Sequence, residues 1–186
     1  MINPKLTKHL EANKVKYQIV PHKKVYTALD AAATLKVKLE EIAKSLVVKA
    51  DKTYYLVILA ANKNANLKKL QQALKAKKLE MPKEAELVKV FKVKPGNLTG
   101  FGSIHQMPTI VDKGYQKVKQ AIFSGGSLME SVKIKVADYL KLEQAIIHQF
   151  SEIKKINKVK KSAKPKAKKT KPTKKKKASK KIARKK

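Results

Sequence analysis

Apolar residues recur every three or four positions in several segments, and this spacing places side chains on one face of a helix. It predicts three short helices in the first half of the chain, at 4–13, 28–35 and 67–75. Thr27 and Asn66 stand where the N-caps of the last two are expected. From residue 137 onward, apolar residues at helical spacing predict one long helix that continues into the C-terminal segment: Leu142, Ile146, Phe150 and Ile153.

Other segments alternate between apolar and polar residues or are rich in β-branched and aromatic residues, as strands are. Strands are predicted at 16–20, 45–48, 54–60, 109–111, 121–123 and 132–136. The turn-like sequence 50–53 joins the second and third into a hairpin, whereas 87–93 fits a helix or a strand. Glycine-containing loops are predicted at 95–107 and 124–127. This interleaving predicts an α+β (mixed α/β) domain whose mixed, largely antiparallel sheet is flanked by helices.

The charge of the chain is unevenly distributed. Residues 154–186 hold 19 of the 46 Lys and Arg residues and none of the 13 Asp and Glu residues. Such a segment repels itself and has little apolar surface to bury, so a disordered basic tail is predicted after a domain over 1–153. A polycation of this kind binds polyanions by releasing their counterions, which makes nucleic acid the expected partner of the tail.

Several standard chemistries lack the residues that they need. The chain has no Cys, which excludes disulfides and thiolate sites, and it has neither a phosphate-binding glycine loop nor a dinucleotide fingerprint. Its four histidines show no metal-ligand spacing, so neither a metal nor a cofactor is predicted. Arg184 is the sole arginine, which disfavours sequence-specific DNA recognition through bidentate contacts to guanine.

Two further features favour a cytoplasmic protein with no membrane partner. The longest apolar run, 54–61, is too short to cross a bilayer. The first thirteen residues are polar and include Lys5, Lys8 and Glu11, which does not fit a secretory signal.

Five segments, taken together and in order, resemble the YbaK family of aminoacyl-tRNA deacylases, which includes the editing insertion domain of bacterial prolyl-tRNA synthetases. Each segment alone is a weak match, but their order and spacing along roughly 5–150 are specific. The segments are His22 to Ala33, Glu41 to Asp51, Asn66 to Leu79, Gly96 to Gly102 with Met107 to Asp112, and Ser124 to Ser127 with Asp138 downstream.

The resemblance implies a single domain with a pocket between the hairpin and the glycine-containing loop. The implied reaction is hydrolysis of the ester that joins a wrong amino acid to the 3′ end of tRNA. Lys44 matches the catalytic lysine of the family and Gly96 the first glycine of its substrate loop. The other matched positions are implied to bind substrate: Tyr26, Thr27, Ser45, Gly100, Gly102, Ser127 and Asp138.

The sequence thus predicts a freestanding editing hydrolase whose polybasic tail adds affinity for tRNA, with an aminoacyl-tRNA synthetase as a further candidate partner. Two departures qualify the match: Gly100 stands where the family usually has Pro, and Val20 falls near a tyrosine that one subgroup carries in its pocket. The departure at Gly100 keeps an alternative open. In this alternative the chain is a non-catalytic nucleic-acid-binding protein, of the nucleoid or RNA-coating kind, built on a YbaK-like body.

Overall fold

The computed structural model of the chain describes residues 1–93 and 96–153. The helices in these ranges are α1 (Pro4–Ala12), α2 (Ala28–Leu35), α3 (Leu67–Ala73), α4 (Glu84–Phe91) and α5 (Val136–Leu142), with short 3₁₀ helices at Leu39–Glu41, Ser103–His105 and Lys113–Lys117. The strands are β1 (Tyr17–Pro21), β2 (Ala43–Ala50), β3 (Thr53–Ala60), β4 (Lys63–Ala65), β5 (Leu79–Glu80), β6 (Thr109–Asp112), β7 (Gln120–Ser124), β8 (Glu130–Lys135), β9 (Ile146–His148) and β10 (Ser151–Ile153).

The described strands are distributed over three sheets. A five-stranded sheet has the order β5-β2-β3-β6-β9, a three-stranded sheet the order β1-β8-β7, and β10 pairs with β4. All pairs are antiparallel except β3 with β6 and β6 with β9, which are parallel. The α+β class with a mixed, largely antiparallel arrangement is therefore confirmed.

The predicted hairpin and the second predicted helix form as the sequence indicates. β2 and β3 pair along their whole length, from Ala43 opposite Ala60 to Ala50 opposite Thr53. Helix α2 begins with a capping box, in which the Thr27 hydroxyl accepts from the Asp30 amide at 3.1 Å and the Asp30 carboxylate accepts from the Thr27 amide at 3.2 Å. The cap fixes the start of α2 next to the hairpin.

The three-stranded sheet places opposite chemistries on its two faces. Val132 and Ile134 of β8 are buried in the largest apolar cluster of the described residues. Because successive side chains of a strand point to opposite faces, Ser131, Lys133 and Lys135 lie on the other face. One face of this sheet therefore builds the core, and the other is polar and basic.

The long helix predicted from residue 137 is wrong. Helix α5 ends at Leu142, Gln144 has a positive φ of 46°, and the chain continues into β9 and β10. The four apolar residues of the pattern do not share a face: Phe150 is fully buried, whereas Ile146 and Ile153 are 43% and 77% exposed. In the structure, the backbone of β9 pairs in parallel with β6, and a helix over the same residues could not form these bonds between strands.

Asp112, at the end of β6, holds this part of the chain in place. Its buried carboxylate accepts from the amides of Phe150 at 3.0 Å, Ser151 at 2.8 Å and Gly114 at 3.0 Å. These are charge-assisted hydrogen bonds to backbone groups that are otherwise costly to bury. A contact with a residue nearly forty positions earlier thus decides the structure of 150–151.

The remaining predictions have mixed outcomes. The ambiguous segment 87–93 contributes most of helix α4. The tail, 154–186, lies outside the described residues, so its disorder and the domain boundary at 153 stay predictions. None of the helices in the described part of the chain is long and apolar enough to span a bilayer.

Candidate active site

A cavity of about 300 Å³ opens between β2, the start of α2 and two glycine-containing loops. Its wall is mainly apolar, with a few hydroxyl groups and one ammonium group. The lining residues are Val25, Tyr26, Thr27, Ala28, Ala31, Ile42, Ala43, Lys44, Ser45, Gly96, Leu98, Ile122, Phe123, Ser124, Ser127, Leu128 and Ser131.

Strand β2 brings two predicted site residues to the cavity. Lys44 is half-buried and is the second residue of β2, where it lies opposite Leu59 of β3. Ser45 follows it, and its hydroxyl oxygen is buried with no hydrogen-bond partner among the residues that the structure describes. A buried polar atom of this kind usually has a partner, so the Ser45 hydroxyl is an exception in this wall.

The start of helix α2 forms a second wall. Thr27 lines the cavity, although its hydroxyl is already engaged as the helix cap. Tyr26 stands at the rim, where its side chain is 70% exposed, and the Lys24 ammonium group lies 5.2 Å from the centre of its ring. An exposed aromatic ring at the mouth of a cavity is a surface on which a flat group can stack.

The third wall is the segment from Gly96, which adopts a φ of +77° that favours glycine. A Cβ atom there would stand 2.9 Å from Leu128 Cδ2, another atom of the cavity wall. The Ser124 hydroxyl donates to the Leu98 carbonyl at 2.9 Å and ties this segment to the 124–127 loop. The two loops that border the cavity therefore support each other.

A family model described as the aminoacyl-tRNA editing domain matches residues 22–142, which is well over half of the chain. The matched range contains every residue that lines the cavity.

The chain belongs to the aminoacyl-tRNA editing domain family.

Several solved structures have the same fold. A hypothetical protein superposes with a TM-score of 0.73 at 19% identity, over 80% of this chain and 99% of the other. A protein described as a candidate trans-editing enzyme for prolyl tRNA synthetase gives 0.70 at 20% identity, over 82% and 99%. A candidate signal transduction protein from Marinobacter aquaeolei VT8 gives 0.63 at 18%, over 81% of this chain but 31% of its own length. At these identities the likeness shows the fold alone. No curated protein matches the sequence.

The editing domain brings six of the nine predicted site residues to one cavity. They are Tyr26, Thr27, Lys44, Ser45, Gly96 and Ser127. The pocket between hairpin and glycine-containing loop, which the resemblance implies, is therefore present.

The other three predicted residues lie elsewhere in the editing domain. Gly100 is part of the loop's own support: its amide donates to the Ser124 carbonyl at 2.9 Å, and the buried Tyr139 hydroxyl donates to its carbonyl at 2.7 Å. Asp138 borders a different surface cleft, beside Lys14, Lys16 and Lys141. Neither residue contributes to the cavity wall.

Gly102 also has a packing reason to be glycine. A Cβ atom at this position would collide with the Met107 carbonyl oxygen and the Thr109 hydroxyl. The buried Glu143 carboxylate holds the same place together, since it accepts from the Ser103 amide at 3.1 Å and the Thr109 hydroxyl at 2.7 Å. Gly100 and Gly102 therefore have packing contacts within the loop, and their contact with substrate stays a prediction.

Sequence reasoning missed Ser124, Ser131 and the apolar residues of the wall. Ser131 lies on the polar face of β8, and its hydroxyl is 2.9 Å from the His22 Nε2 atom. The alternation of polar and apolar residues in β8 can be read from the sequence. The sequence does not show which strands pair with β8 and so direct its polar face toward α2. The pairing of Ile42, directly before β2, with Ile122 of β7 joins this sheet to the hairpin.

His105 is a half-buried histidine in the loop. The Thr99 amide donates to its Nε2 atom at 3.2 Å, so this nitrogen carries no proton. Burial lowers the pKa of His105 below its ordinary value of 6.5, against the attraction of Glu143 and with a contribution from Lys5. The neutral ring is therefore the form that the folded loop binds.

We expect the free energy of unfolding to fall as the pH drops below about 6.5, because the unfolded chain then binds a proton that folded His105 resists. Above that pH the ring is neutral in both states and the contribution is complete. Denaturant titrations of wild type and His105→Gln on either side of this pH measure the effect. Glutamine keeps a hydrogen-bonding side chain without titrating, so its pH dependence should be flatter; an equal slope in both proteins would contradict the prediction.

Proposed function

We propose that this protein is an editing hydrolase that cleaves the ester bond of mischarged aminoacyl-tRNA. The observation that carries the proposal is that Lys44, Ser45, Gly96 and Ser127 meet in one cavity in a chain of the editing family. The cavity is small and mostly apolar, which suits the side chain of a small amino acid. Editing of this kind is needed because one apolar group gives a synthetase only about 1–3 kcal/mol of discrimination.

The reaction asks little of a protein nucleophile, since an ester is already activated. Water adds to the carbonyl carbon, the bond to the ribose oxygen breaks, and that oxygen takes a proton to regenerate the tRNA hydroxyl. Negative charge develops on the carbonyl oxygen during the addition. In the proposal, the Lys44 ammonium group and backbone N–H groups near Gly96 stabilise this charge.

The wall around these groups supports their proposed roles. The Ser45 hydroxyl, which has no partner among the described residues, would hydrogen-bond the aminoacyl group after a turn of its side chain toward the cavity. Tyr26 at the rim offers a face on which the terminal base can stack. Val25, Ile122 and Phe123 limit the volume that the amino acid side chain can occupy.

The test is a hydrolysis screen of the full chain against a panel of mischarged tRNAs, with correctly charged tRNAs beside them. Release of the amino acid is measured against the spontaneous rate. The proposal expects at least one mischarged tRNA to be hydrolysed faster than its correctly charged counterpart. Spontaneous rates across the whole panel would contradict it and favour the non-catalytic RNA-binding alternative.

Gly96→Ala should lower kcat/KM about tenfold and the stability by about 1 kcal/mol. The new Cβ atom would stand 2.9 Å from Leu128 Cδ2 and displace this residue of the cavity wall, and an alanine at positive φ is strained. Steady-state kinetics and thermal denaturation measure the two effects. Gly114→Ala is the control for an added methyl group, because Gly114 neither lines the cavity nor contacts the loops that border it. Equal kinetic losses in both variants would contradict a role for Gly96 at the cavity.

Deletion of 154–186 should raise KM for tRNA, leave kcat nearly unchanged and flatten the dependence of KM on salt. The deleted segment carries 19 positive charges, and each phosphate that it neutralises adds to the salt dependence of binding. Kinetics at several salt concentrations measure the change. Loss of kcat would show that the tail contributes to chemistry rather than to affinity.

A further inference from the structure

A cleft lined by lysines lies beside the cavity of the proposed active site. Its volume is about 650 Å³, and it is lined by Lys38, Glu41, Val118, Lys119, Gln120 and Lys135. The lining thus contains three lysines and one glutamate. We call this surface, together with Lys133, the lysine cleft.

The lysine cleft and the active-site cavity share a wall. Ile42 pairs with Ile122, and both residues line the cavity. Glu41, directly before Ile42, lines the lysine cleft, and so does Gln120, which lies two residues before Ile122 on the same face of β7. A chain bound in the cleft can thus continue into the cavity over this pair.

Strand β8 marks the direction of that path. Ser131 lines the cavity, and Lys133 and Lys135 follow on the same face of the strand. At about 3.3 Å per residue, Lys135 lies about 13 Å along the strand from Ser131. Lys133 stands between them, opposite Gln18 of β1. Positive charge thus leads away from the cavity at regular intervals.

The charge of the lysine cleft is not neutralised within the described residues. Across 1–93 and 96–153, the ion pairs of lysines with carboxylates involve Lys49, Lys69 and Lys78, and none of the cleft lysines. Glu41 lines the cleft without pairing with any of them. Lysine is a compact point charge that suits phosphate without demanding a fixed geometry.

We propose that the lysine cleft binds the backbone phosphates of the RNA strand whose acylated 3′ end enters the cavity. This inference rests on the proposed function and adds the path of the substrate. The tail supplies sequence-independent affinity, whereas the cleft fixes where the strand runs. Binding through phosphates makes the contact largely independent of the base sequence.

The test compares two triple variants of the full chain. Lys119→Gln, Lys133→Gln and Lys135→Gln together remove three charges from the cleft. Lys68→Gln, Lys75→Gln and Lys77→Gln remove three from exposed lysines on and after α3, which do not line the cavity. The probe is an uncharged tRNA, and its dissociation constant is measured at several salt concentrations.

The cleft variant should bind the tRNA on the order of 10- to 100-fold more weakly at low salt, with a salt slope reduced by about 2. The α3 variant should change much less, because its lysines line neither the cavity nor the lysine cleft. Equal weakening in both would overturn the proposal. So would unchanged tRNA binding in a cleft variant that no longer binds polyglutamate, since that result would identify an acidic protein as the partner.

Two more measurements keep the result interpretable. Replacing the same three cleft lysines by arginine keeps the charge and should restore binding; no recovery would overturn an electrostatic role. Where a tRNA is hydrolysed, the cleft variant should raise its KM and leave kcat nearly unchanged. The binding comparison does not depend on hydrolysis, so a failure of the proposed function would be seen separately, in the screen.

Discussion

Lys44→Ala is expected to lower kcat for deacylation about 10²- to 10³-fold and to leave binding of uncharged tRNA unchanged. This magnitude is typical for removal of one group that stabilises an oxyanion in a site shielded from water. Lys44 is the charged side chain of the cavity wall, whose other members are apolar or carry hydroxyl groups. Single-turnover hydrolysis of a mischarged tRNA, with a parallel binding titration, separates chemistry from affinity.

Two variants control for packing and for net charge. Lys44→Met keeps the long apolar stem without the ammonium group, so it should be as inactive as the alanine variant and fold normally. Lys52→Ala removes an exposed lysine from the turn between β2 and β3 and should retain activity. Full activity of Lys44→Met would show that the stem rather than the charge matters. Simultaneous loss of folding and activity would assign Lys44 a structural role.

Asp112→Ala is expected to lower the free energy of unfolding by about 3 kcal/mol and the melting temperature by roughly 10 °C. The carboxylate is buried and accepts three backbone hydrogen bonds. Its removal leaves the amides of Phe150 and Ser151 buried without a partner, which costs more than the loss of an exposed contact. Denaturant and thermal unfolding of the full chain measure the change.

Asp138→Ala is the matched control, because it removes the same charge from a half-exposed position at the start of α5. We expect less than about 1 kcal/mol from this change, mainly through the helix dipole. Asp112→Asn keeps one carbonyl oxygen as an acceptor and should fall between wild type and Asp112→Ala. Equal small effects at 112 and 138 would contradict the role given to Asp112.

Local signals in the sequence were sufficient for the elements that lie close together in the chain. The capping box at Thr27 and Asp30 spans three residues, and the hairpin of β2 and β3 is closed by a short turn. Both depend on contacts between near neighbours, so propensity and spacing predicted them. The family resemblance added Lys44 and Gly96, which then met in one cavity.

The helix prediction that failed, and the loop glycines whose substrate contacts stay predictions, both involve contacts between distant parts of the chain. The apolar spacing after residue 137 suits a helix, but pairing with β6 and the Asp112 carboxylate favour strands instead. Gly100 and Gly102 matched the substrate loop of the family, yet their surroundings give them packing roles. A motif indicates that a residue type is needed at a position, and only its neighbours show for what purpose.

By itself, the sequence determined the α+β class, the hairpin, the cap of α2 and the charged segment at the C-terminus, because each follows from composition or from residues near in the chain. The tertiary structure alone decided that Ser131 and Ile122 complete the cavity wall and that a lysine cleft adjoins it. Those surfaces arise from the register of β1, β8 and β7 and from the contact of Ile42 with Ile122. Register depends on the packing of the whole sheet against its core, and no single segment of the chain contains that information.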